Sequence, residues 1–257
     1  MIIYSWNMLY RNKELDRAFE FISHADFDLF CLQEVPKDFL KRLATLPYSV
    51  ASRIDMEKMF PSGAVPMHTV ILSRHPITSQ GETPFDDYQA LLPLRARLFT
   101  RLMRLFHFAP VRNRGGLYID TAADGVPVRI FSLHLTLTNP SRRLEEFERA
   151  MLERDPSKPT IVCGDFNILE KPHIAPLNWL MGGRMSDVLR YQRERTVIEK
   201  RFLEHELVNP LYGGITHRLS QSQLDHILVS KSFSIRKADI LPDRMGSDHH
   251  PIRAEIS

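Results

Sequence analysis

Short apolar segments alternate with helical patterns along the whole chain, and this alternation restricts the fold more than any other feature of the sequence. The short segments are rich in Ile, Val, Leu and Phe and are mostly bounded by Gly, Pro, Asp or Ser, which predicts strands. The predicted strands are Ile2–Trp6, Asp28–Gln33, Thr69–Ser73, Leu117–Thr121, Val128–Leu133, Thr160–Cys163, Leu224–Val229 and Ile252–Ile256. Between them, apolar residues recur every three or four positions, which predicts helices. The predicted helices are Lys13–Ser23, Lys37–Ala44, Pro140–Glu153 and Glu194–Glu206.

The turn between two of these strands indicates antiparallel pairing. Asp124-Gly125 lies between the predicted strands that end at Thr121 and begin at Val128, and Asp-Gly is typical of a tight β-hairpin. An α/β fold with substantial antiparallel sheet is therefore favoured over a purely parallel, doubly wound sheet. No repeat, low-complexity tract or linker interrupts the 257 residues, so we expect a single domain over residues 1–257.

Composition excludes several classes of protein. Hydrophobic residues make up 43% of the chain and charged residues 25%, which excludes a disordered, collagen-like or disulfide-scaffold protein. Cys31 and Cys163 each lie in an apolar run and are predicted to be free buried thiols. The N-terminus has no basic region before an apolar core, and no run reaches about 18 apolar residues. These features predict a cytoplasmic protein.

Side chains that can bind a metal or move a proton lie beside the predicted strands. Carboxylate and amide oxygens suit Mg²⁺, and an imidazole beside them can protonate or orient a departing oxygen. Phosphoester hydrolysis needs this combination of a cation, an oriented water and a proton donor. Each residue alone also has an ordinary structural explanation, such as the closing of a turn by an Asp. The candidates are Asn7, Glu34, His134, Asp165, Asn167, Asp225, Asp248 and His249.

The order of these residues and their neighbours carries more information than any one of them. The series resembles the endonuclease/exonuclease/phosphatase superfamily, metal-dependent phosphoesterases that include deoxyribonuclease I, exonuclease III and neutral sphingomyelinase. It spans essentially the whole chain. The segments that carry the resemblance are Trp6-Asn7, Gln33-Glu34-Val35, Leu72-Ser73-Arg74, Ser132-Leu133-His134-Leu135, Gly164-Asp165-Phe166-Asn167, Leu224-Asp225-His226-Ile227-Leu228-Val229-Ser230 and Ser247-Asp248-His249-His250-Pro251.

The resemblance implies a four-layer α/β sandwich, in which two mixed β-sheets pack face to face with helices outside. It also implies a metal site in which Glu34 is the principal carboxylate, Asn7 helps to hold the metal, and Asp248 is a further acid at or beside it. The implied metal is Mg²⁺, or alternatively Mn²⁺.

The same resemblance implies the catalytic residues. Asp165 is similar to the residue that orients or deprotonates the attacking water, and Asn167 to its companion that contacts the phosphate. His249 is similar to the histidine that meets the phosphate or the leaving group, and Asp225 to the carboxylate that orients it.

Two positions depart from parts of the family. His134 stands where the abasic-site repair branch has a Tyr-x-Pro-Asn segment, which disfavours that role and groups the chain with the deoxyribonuclease I, sphingomyelinase, deadenylase and inositol-phosphatase relatives. The acidic partner that His134 has in some of those relatives is not assigned, because neither Asp55 nor Glu57 is convincing. His217 stands where many members have an aromatic residue, so the resemblance does not carry over the stacking of a substrate at this position.

Basic residues are concentrated in one insertion at about residues 90–112. The formal net charge is only +3, yet the acid-free stretch from Tyr88 to Ile119 contains six Arg. After Pro93, the apolar residues Leu94, Leu98, Leu102, Leu105 and Phe106 follow helical spacing, while Arg97, Arg101 and Arg104 share another face.

Three interpretations of the insertion stay open. The helix packs on the domain with solvated Arg, contacts an anionic membrane through residues 94–108, or guides a polyanionic substrate. Arg112 and Arg114 are candidates for phosphate binding at the rim of the cleft, because the planar guanidinium offers paired donors.

The leading hypothesis is a divalent-metal-dependent phosphodiesterase in which an activated water cleaves a P–O bond. We expect a monomeric nuclease with nucleic acid as its phosphodiester substrate. The alternatives on the same site are a phospholipid or sphingomyelin phosphodiesterase at a membrane surface and an inositol-phosphate-type phosphatase. An inactive phosphate-binding module is a further alternative, which is disfavoured because every expected position is occupied.

Overall fold

Thirteen strands and seven helices account for the regular structure in the computed structural model, which describes residues 1–61, 63–87, 92–103, 110–123 and 125–257. The strands are β1 (Ile2–Asn7), β2 (Leu29–Pro36), β3 (Ser49–Phe60), β4 (Gly63–Ser73), β5 (Ile77–Pro84), β6 (Val111–Arg112), β7 (Gly115–Ala123), β8 (Val126–His134), β9 (Thr160–Asp165), β10 (Leu207–Val208), β11 (Asp225–Ser230), β12 (Ile235–Ile240) and β13 (Ile252–Ile256). The helices are α1 (Leu15–His24), α2 (Lys37–Leu43), α3 (Leu94–Met103), α4 (Pro140–Met151), α5 (Ala175–Leu180), α6 (Met185–Leu189) and α7 (Arg193–Glu204).

The strands form two mixed sheets. The first sheet has the order β12-β13-β1-β2-β4-β3-β6, and the second has the order β10-β11-β9-β8-β7-β5. Each sheet contains one parallel pair, β1 with β2 in the first and β8 with β9 in the second, whereas the other described pairs are antiparallel. The mixed α/β prediction, including the β7–β8 hairpin, is confirmed.

Three apolar clusters separate four layers. Ile3 and Ile71 of the first sheet pack against Ile130 and Ile227 of the second, in the core between the sheets. On the outer face of the first sheet, the second cluster includes Trp6 and residues of α1 and α2. The outer face of the second sheet packs on α4 and α7 through the third cluster. The fold is therefore the four-layer α/β sandwich that the resemblance implied.

The predicted elements are present, with ends that differ by a few residues. Helix α4 begins as predicted, because the Asn139 side chain accepts a hydrogen bond from the Arg142 amide and Pro140 occupies the first turn. Residues 104–109, part of the predicted apolar stripe and including Arg104, lie outside the described residues, whereas α3 begins directly after Pro93. Both cysteines are buried free thiols, as predicted.

The parallel pairs bring the candidate residues to one edge of the sandwich. Asn7 ends β1 opposite Gln33 of β2, so the next residue, Glu34, lies beside it. In the second sheet, His134 at the end of β8 is paired with Asp165 at the end of β9. Since β1 contacts both β9 and β11, these strand ends meet across the two sheets. Among the described residues, no helix is long and apolar enough to cross a membrane.

Candidate active site

Glu34 is presented by a break in the pairing of β2 with β4. The register between these strands shifts between Leu32 and Val35, and Glu34 has a left-handed backbone with φ of 55°. Bulges commonly redirect a side chain beside a functional site, and a non-glycine residue with this φ persists only where its surroundings enforce it. The Glu34 Oε2 atom accepts a hydrogen bond of 3.2 Å from the backbone N–H of Tyr10.

Asp165 occupies the centre of the candidate site. Its Oδ2 atom accepts a 3.0 Å hydrogen bond from Nδ2 of Asn7, which joins the ends of the two sheets. Its Oδ1 atom accepts a 2.8 Å bond from the backbone N–H of Asn167. Asn167, also left-handed with φ of 53°, donates from Nδ2 to the Leu135 carbonyl oxygen at 2.9 Å. These bonds fix the carboxylate and the amide that follows it.

Two histidine–aspartate pairs flank this carboxylate. His134 Nδ1 donates to Asp55 Oδ2 at 2.7 Å, and His249 Nδ1 donates to Asp225 Oδ2 at 2.8 Å. The Nε2 atoms of both imidazoles lie 3.7 Å from the same atom, Oδ2 of Asp165. All five side chains are almost fully buried. The arrangement places two potential proton donors against one acceptor.

Electrostatics favours charged imidazoles in this cluster. Burial opposes protonation of His134, but Asp55 and the nearby Asp165 outweigh it and raise the pKa of His134 to about 9. Burial likewise opposes protonation of His249, and Asp225 with Asp165 raises its pKa to about 10. Both side chains therefore carry a positive charge at neutral pH.

The pKa values of the Asp165 and Glu34 carboxylates are shifted in opposite directions. Burial raises the pKa of Asp165, and the negative charge of Asp225 adds to this effect, against the opposing influence of His249 and His134. Burial would also raise the pKa of Glu34, but Lys58 and His134 lower it overall. Lys58 lies over the Tyr10 ring, 3.8 Å from its centroid. The surroundings thus favour the ionised form of Glu34 and make Asp165 a stronger base than an ordinary aspartate.

Asp248 and His217 lie beside His249. His217 Nε2 is 3.4 Å from Asp248 Oδ2, and the rings of His217 and His249 are 4.7 Å apart between centroids. Burial opposes ionisation of Asp248, but the hydrogen bond from His217 and the charge of His249 lower its pKa to about 2. His217 therefore contributes an imidazole at the position where many family members have an aromatic ring.

The donor set suits a divalent cation. Among the described residues, ligand atoms of His217, Asp248 and His249 lie within 4.8 Å of one another, as do those of Asp165, Asp225 and His249. Asp225 Oδ1 and Asp248 Oδ1 are buried without a hydrogen-bond partner, which is costly for carboxylate oxygens unless a cation compensates. Carboxylate oxygens of this kind match the preference of Mg²⁺ and Mn²⁺ for hard ligands. Glu34, the carboxylate expected to be the principal ligand, belongs to neither of the two groups.

The arginines predicted at the rim have different positions. The rim prediction for Arg114 is wrong, because its guanidinium is buried and donates to Glu146 and, at 2.9 Å, to the His134 carbonyl oxygen. Arg114 thereby supports the end of β8 instead of facing solvent. Arg112 is exposed, and its Nε donates to Glu57 at 3.0 Å.

Asp55 is the site residue that the sequence did not identify. It lies 79 positions before His134 at the bulge of β3 between Ile54 and Met56, on the other sheet. Residues 49–55 contain a signal, since Asp55 is four positions after Ala51, which puts both side chains on one face of a strand, and both are buried. Because no strand was predicted over residues 49–60, this alternation could not be used to assign Asp55 to the site.

Comparisons with known proteins agree with the fold and identify a family. Residues 4–249 match the sequence profile of the Endonuclease/Exonuclease/phosphatase family. A protein of that description from Beutenbergia cavernae DSM 12333 is 17% identical with a TM-score of 0.68, over 100% of this chain and 71% of that one. The mannosyl-6-phosphatase Bt3783 of Bacteroides thetaiotaomicron VPI-5482 is 18% identical with a TM-score of 0.63, over 100% and 99%. ANGEL2, a 2′,3′-cyclic phosphatase, is 14% identical with a TM-score of 0.63, over 100% and 94%. Among curated protein sequences, none is significantly similar to this chain.

Proposed function

Since the chain belongs to the endonuclease/exonuclease/phosphatase family of phosphoric ester hydrolases, we propose that it is a divalent-metal-dependent phosphodiesterase that cleaves nucleic acid. One observation carries the chemical part of the proposal. The Asp165 carboxylate lies 3.7 Å from two imidazoles, each held by its own aspartate. This supplies a base and two positively charged donors within one buried cluster.

Glu34, Asn7 and Asp248 are the residues proposed to hold the cation. A bound Mg²⁺ or Mn²⁺ would stabilise the negative charge that develops on the phosphoryl oxygens. Glu34 is suited to this role because Lys58 and His134 keep it ionised despite its burial. Asn7 fixes the distance between the cation side and the catalytic side by its bond to Asp165.

The proton transfers follow from the positions of the side chains. Asp165 accepts a proton from the attacking water, since burial raises its pKa towards the range in which a carboxylate is an effective base. As the water oxygen bonds to phosphorus and the P–O bond to the leaving group breaks, His249 donates its Nε2 proton to the leaving oxygen. Asp225 stabilises the imidazolium before that transfer by its bond to Nδ1.

His134 and Asn167 contact the phosphate in this scheme. The Nε2 atom of the His134 imidazolium lies 3.7 Å from Asp165 Oδ2, and its N–H is proposed to donate to a phosphoryl oxygen. Asn167 is held next to it by its bonds to Asp165 and the Leu135 carbonyl oxygen. Preorganised donors of this kind reduce the barrier because they need no rearrangement as charge develops.

The family assignment supports nucleic acid as the proposed substrate class. A second candidate function is supported by helix α3. The helix exposes leucines together with arginines, which favours a phospholipid phosphodiesterase acting at a membrane surface. Two similar structures are named as phosphatases, one of a mannosyl 6-phosphate and one of a 2′,3′-cyclic phosphate. A phosphatase acting on a small phosphoester is therefore also included in the test.

A substrate panel distinguishes these candidates. With Mg²⁺ or Mn²⁺, we would compare single- and double-stranded DNA, RNA, sphingomyelin, inositol phosphates, a sugar 6-phosphate and an aryl phosphodiester. The proposal predicts that a nucleic acid has the highest kcat/KM. A preference for sphingomyelin would favour the membrane candidate, and hydrolysis of monoesters alone would contradict phosphodiesterase activity.

A further inference from the structure

Helix α3 directs its large apolar side chains away from the protein. Leu94, Leu98 and Leu102 are 65%, 57% and 62% exposed. They are spaced four residues apart, so they form one stripe along the helix. Leucines exposed singly are common, but a continuous stripe of this kind indicates an interaction surface.

The inner side of α3 is held by smaller contacts. Ala96 is completely buried, and it lies close to Gly182, where an added Cβ would be 3.7 Å from the Ala96 Cβ. The Arg95 guanidinium lies 5.0 Å from the centre of the Trp179 ring, and its Nε donates to the Trp179 carbonyl oxygen at 3.1 Å. A second bond from Arg95 reaches the Gly183 carbonyl oxygen. The helix is therefore attached without its leucines, which are available for another contact.

Positive charge accompanies the exposed leucines. Arg97 and Arg101 are exposed and are three and seven residues after Leu94, so they lie beside the stripe. No Asp or Glu occurs between Tyr88 and Ile119. The exposed face of α3 thus combines apolar side chains with positively charged ones, in a stretch of sequence that has no acidic residue.

The neighbouring helix α6 also exposes apolar and basic side chains, and it contains one acidic residue, Asp187, which accepts a hydrogen bond from the Arg184 backbone N–H. The contacts of Arg95 and Ala96 with the Gly182–Gly183 turn place the start of α3 next to the segment that leads into α6. Met185 and Leu189 of α6 are 51% and 75% exposed, and Arg184 and Arg190 on either side of them are also exposed. Two adjacent short elements therefore present apolar and basic side chains together.

We propose that α3 and α6 form a docking surface for an anionic lipid membrane. A nucleic acid would neutralise the arginines but would leave the leucines and Met185 in water. An anionic bilayer satisfies both groups, because the apolar side chains enter the interface while the guanidinium groups contact lipid phosphates. The inference goes beyond the proposed hydrolysis and does not depend on which phosphoester the site cleaves.

Vesicle flotation tests the surface directly. The full chain is mixed with vesicles of phosphatidylcholine alone or with 30% phosphatidylserine, in chelator so that hydrolysis does not contribute. We expect at least about tenfold stronger binding to the anionic vesicles and weakening with salt, since basic residues near an anionic surface dominate such attraction.

Matched variants distinguish specific binding through this surface from nonspecific binding of exposed leucines and basic residues to vesicles. We expect L94S/L98S/L102S and R97Q/R101Q each to lose at least about fivefold in vesicle affinity, because both the apolar and the basic contribution are needed. The control L152S/L203S/L219S removes three leucines that are exposed elsewhere, and K231Q/R236Q removes the same charge from another surface. Thermal melting of each variant shows whether it is folded.

Three outcomes would overturn the proposal. One is the absence of binding to anionic vesicles at low salt. Another is an equal loss in the test and control variants. The third is binding of single-stranded DNA that depends on Arg97 and Arg101 without any vesicle binding, which would identify the surface as a nucleic-acid contact. Because flotation is measured without turnover, none of these outcomes depends on the success of the substrate panel.

Discussion

At the scale of single residues, Asp165 is the group on which the other polar side chains of the site converge. Its two carboxylate oxygens receive an amide N–H from Asn7 and a backbone N–H from Asn167, and both imidazoles approach the same oxygen. Burial strengthens each of these interactions and makes the loss of any partner costly. The pKa value of each group in the site therefore depends on its charged neighbours, and a single substitution should change the pKa values of the residues around it.

The His134–Asp55 pair gives a pH-dependent prediction. In the metal-free protein, we expect His134 to titrate near pH 9, and Asp55→Asn should lower that pKa to about 6.5 or below because the ionic partner is lost. An NMR titration of the imidazole resonances, assigned with His134→Gln, measures both values. Titration of His134 near 6.5 in the wild-type protein would contradict this account.

The same pair predicts the sign of a stability change. The folded pKa of His134 is raised above the unfolded value of about 6.5, so its contribution is complete below that pH and is lost as pH rises through about 9. The deficit of Asp55→Asn in the free energy of unfolding should be on the order of 3 kcal/mol at pH 6. Urea unfolding in chelator should show this deficit decreasing between pH 7 and 10. A constant deficit would mean that packing, not charge, holds the pair.

At the scale of elements, strand irregularities and one glycine set the site. Glu34 and Asp55 both lie at register shifts, in β2 and β3 respectively. Gly164, one residue before Asp165, has φ of 140° where β8 and β9 are parallel neighbours. A Cβ on Gly164 would be 1.8 Å from the Leu133 carbonyl oxygen. The strand that carries Asp165 therefore requires the close approach that glycine permits.

Replacement of Gly164 should be far more damaging than replacement of another left-handed glycine. We expect Gly164→Ala to lower the free energy of unfolding by more than about 3 kcal/mol, because backbone strain is combined with a backbone collision. The control is Gly213→Ala, where φ is 81° and no atom lies within 4 Å of the added Cβ. Its cost should be only about 1 to 2 kcal/mol. Similar costs for both variants in urea unfolding would refute the role assigned to Gly164.

The sequence predicted elements whose signals are local. Buried strands such as β1 and β9 are continuous apolar runs, and their ends could be located within a few residues. Strands β3, β5 and β12 were not predicted, because they carry many partly exposed polar residues and β5 and β12 form sheet edges. Edge strands tolerate polar and charged residues, so their composition resembles that of loops.

Contacts between distant segments explain the remaining differences. The residues Asn7, Glu34, Asp165 and His249 could be nominated because each lies in a recognisable motif near a strand end. The partner of His134 could not be nominated. Asp55 lies at a bulge of β3 in the first sheet and contacts His134 of the second sheet only because the two sheets pack together. Arg114 was placed at the rim because its burial against Glu146 depends on the packing of α4.

At the scale of the whole molecule, the two sheets divide the proposed functions of the site. The first sheet contributes Glu34 and Asn7, whereas Asp165 and His134 belong to the second. The Asn7–Asp165 bond joins these halves. Helix α3 of the basic insertion contacts α5 through Arg95 and Trp179 and contributes no described residue to the core between the sheets. Hydrolysis and membrane attachment are thus proposed for separate regions of one chain.

The most direct test of the central claim is hydrolysis of bis(p-nitrophenyl) phosphate with Mg²⁺ or Mn²⁺ by the wild-type protein, Asp165→Asn and Asp16→Asn. Asp16 is an almost fully exposed carboxylate outside the site and serves as the matched control. We predict that chelator abolishes activity and that Asp165→Asn, shown by thermal melting to be folded, lowers kcat by at least about 100-fold, because the group that accepts the proton of the attacking water is removed. Asp16→Asn should match the wild type. Full activity in chelator, or a wild-type rate for folded Asp165→Asn, would contradict the account.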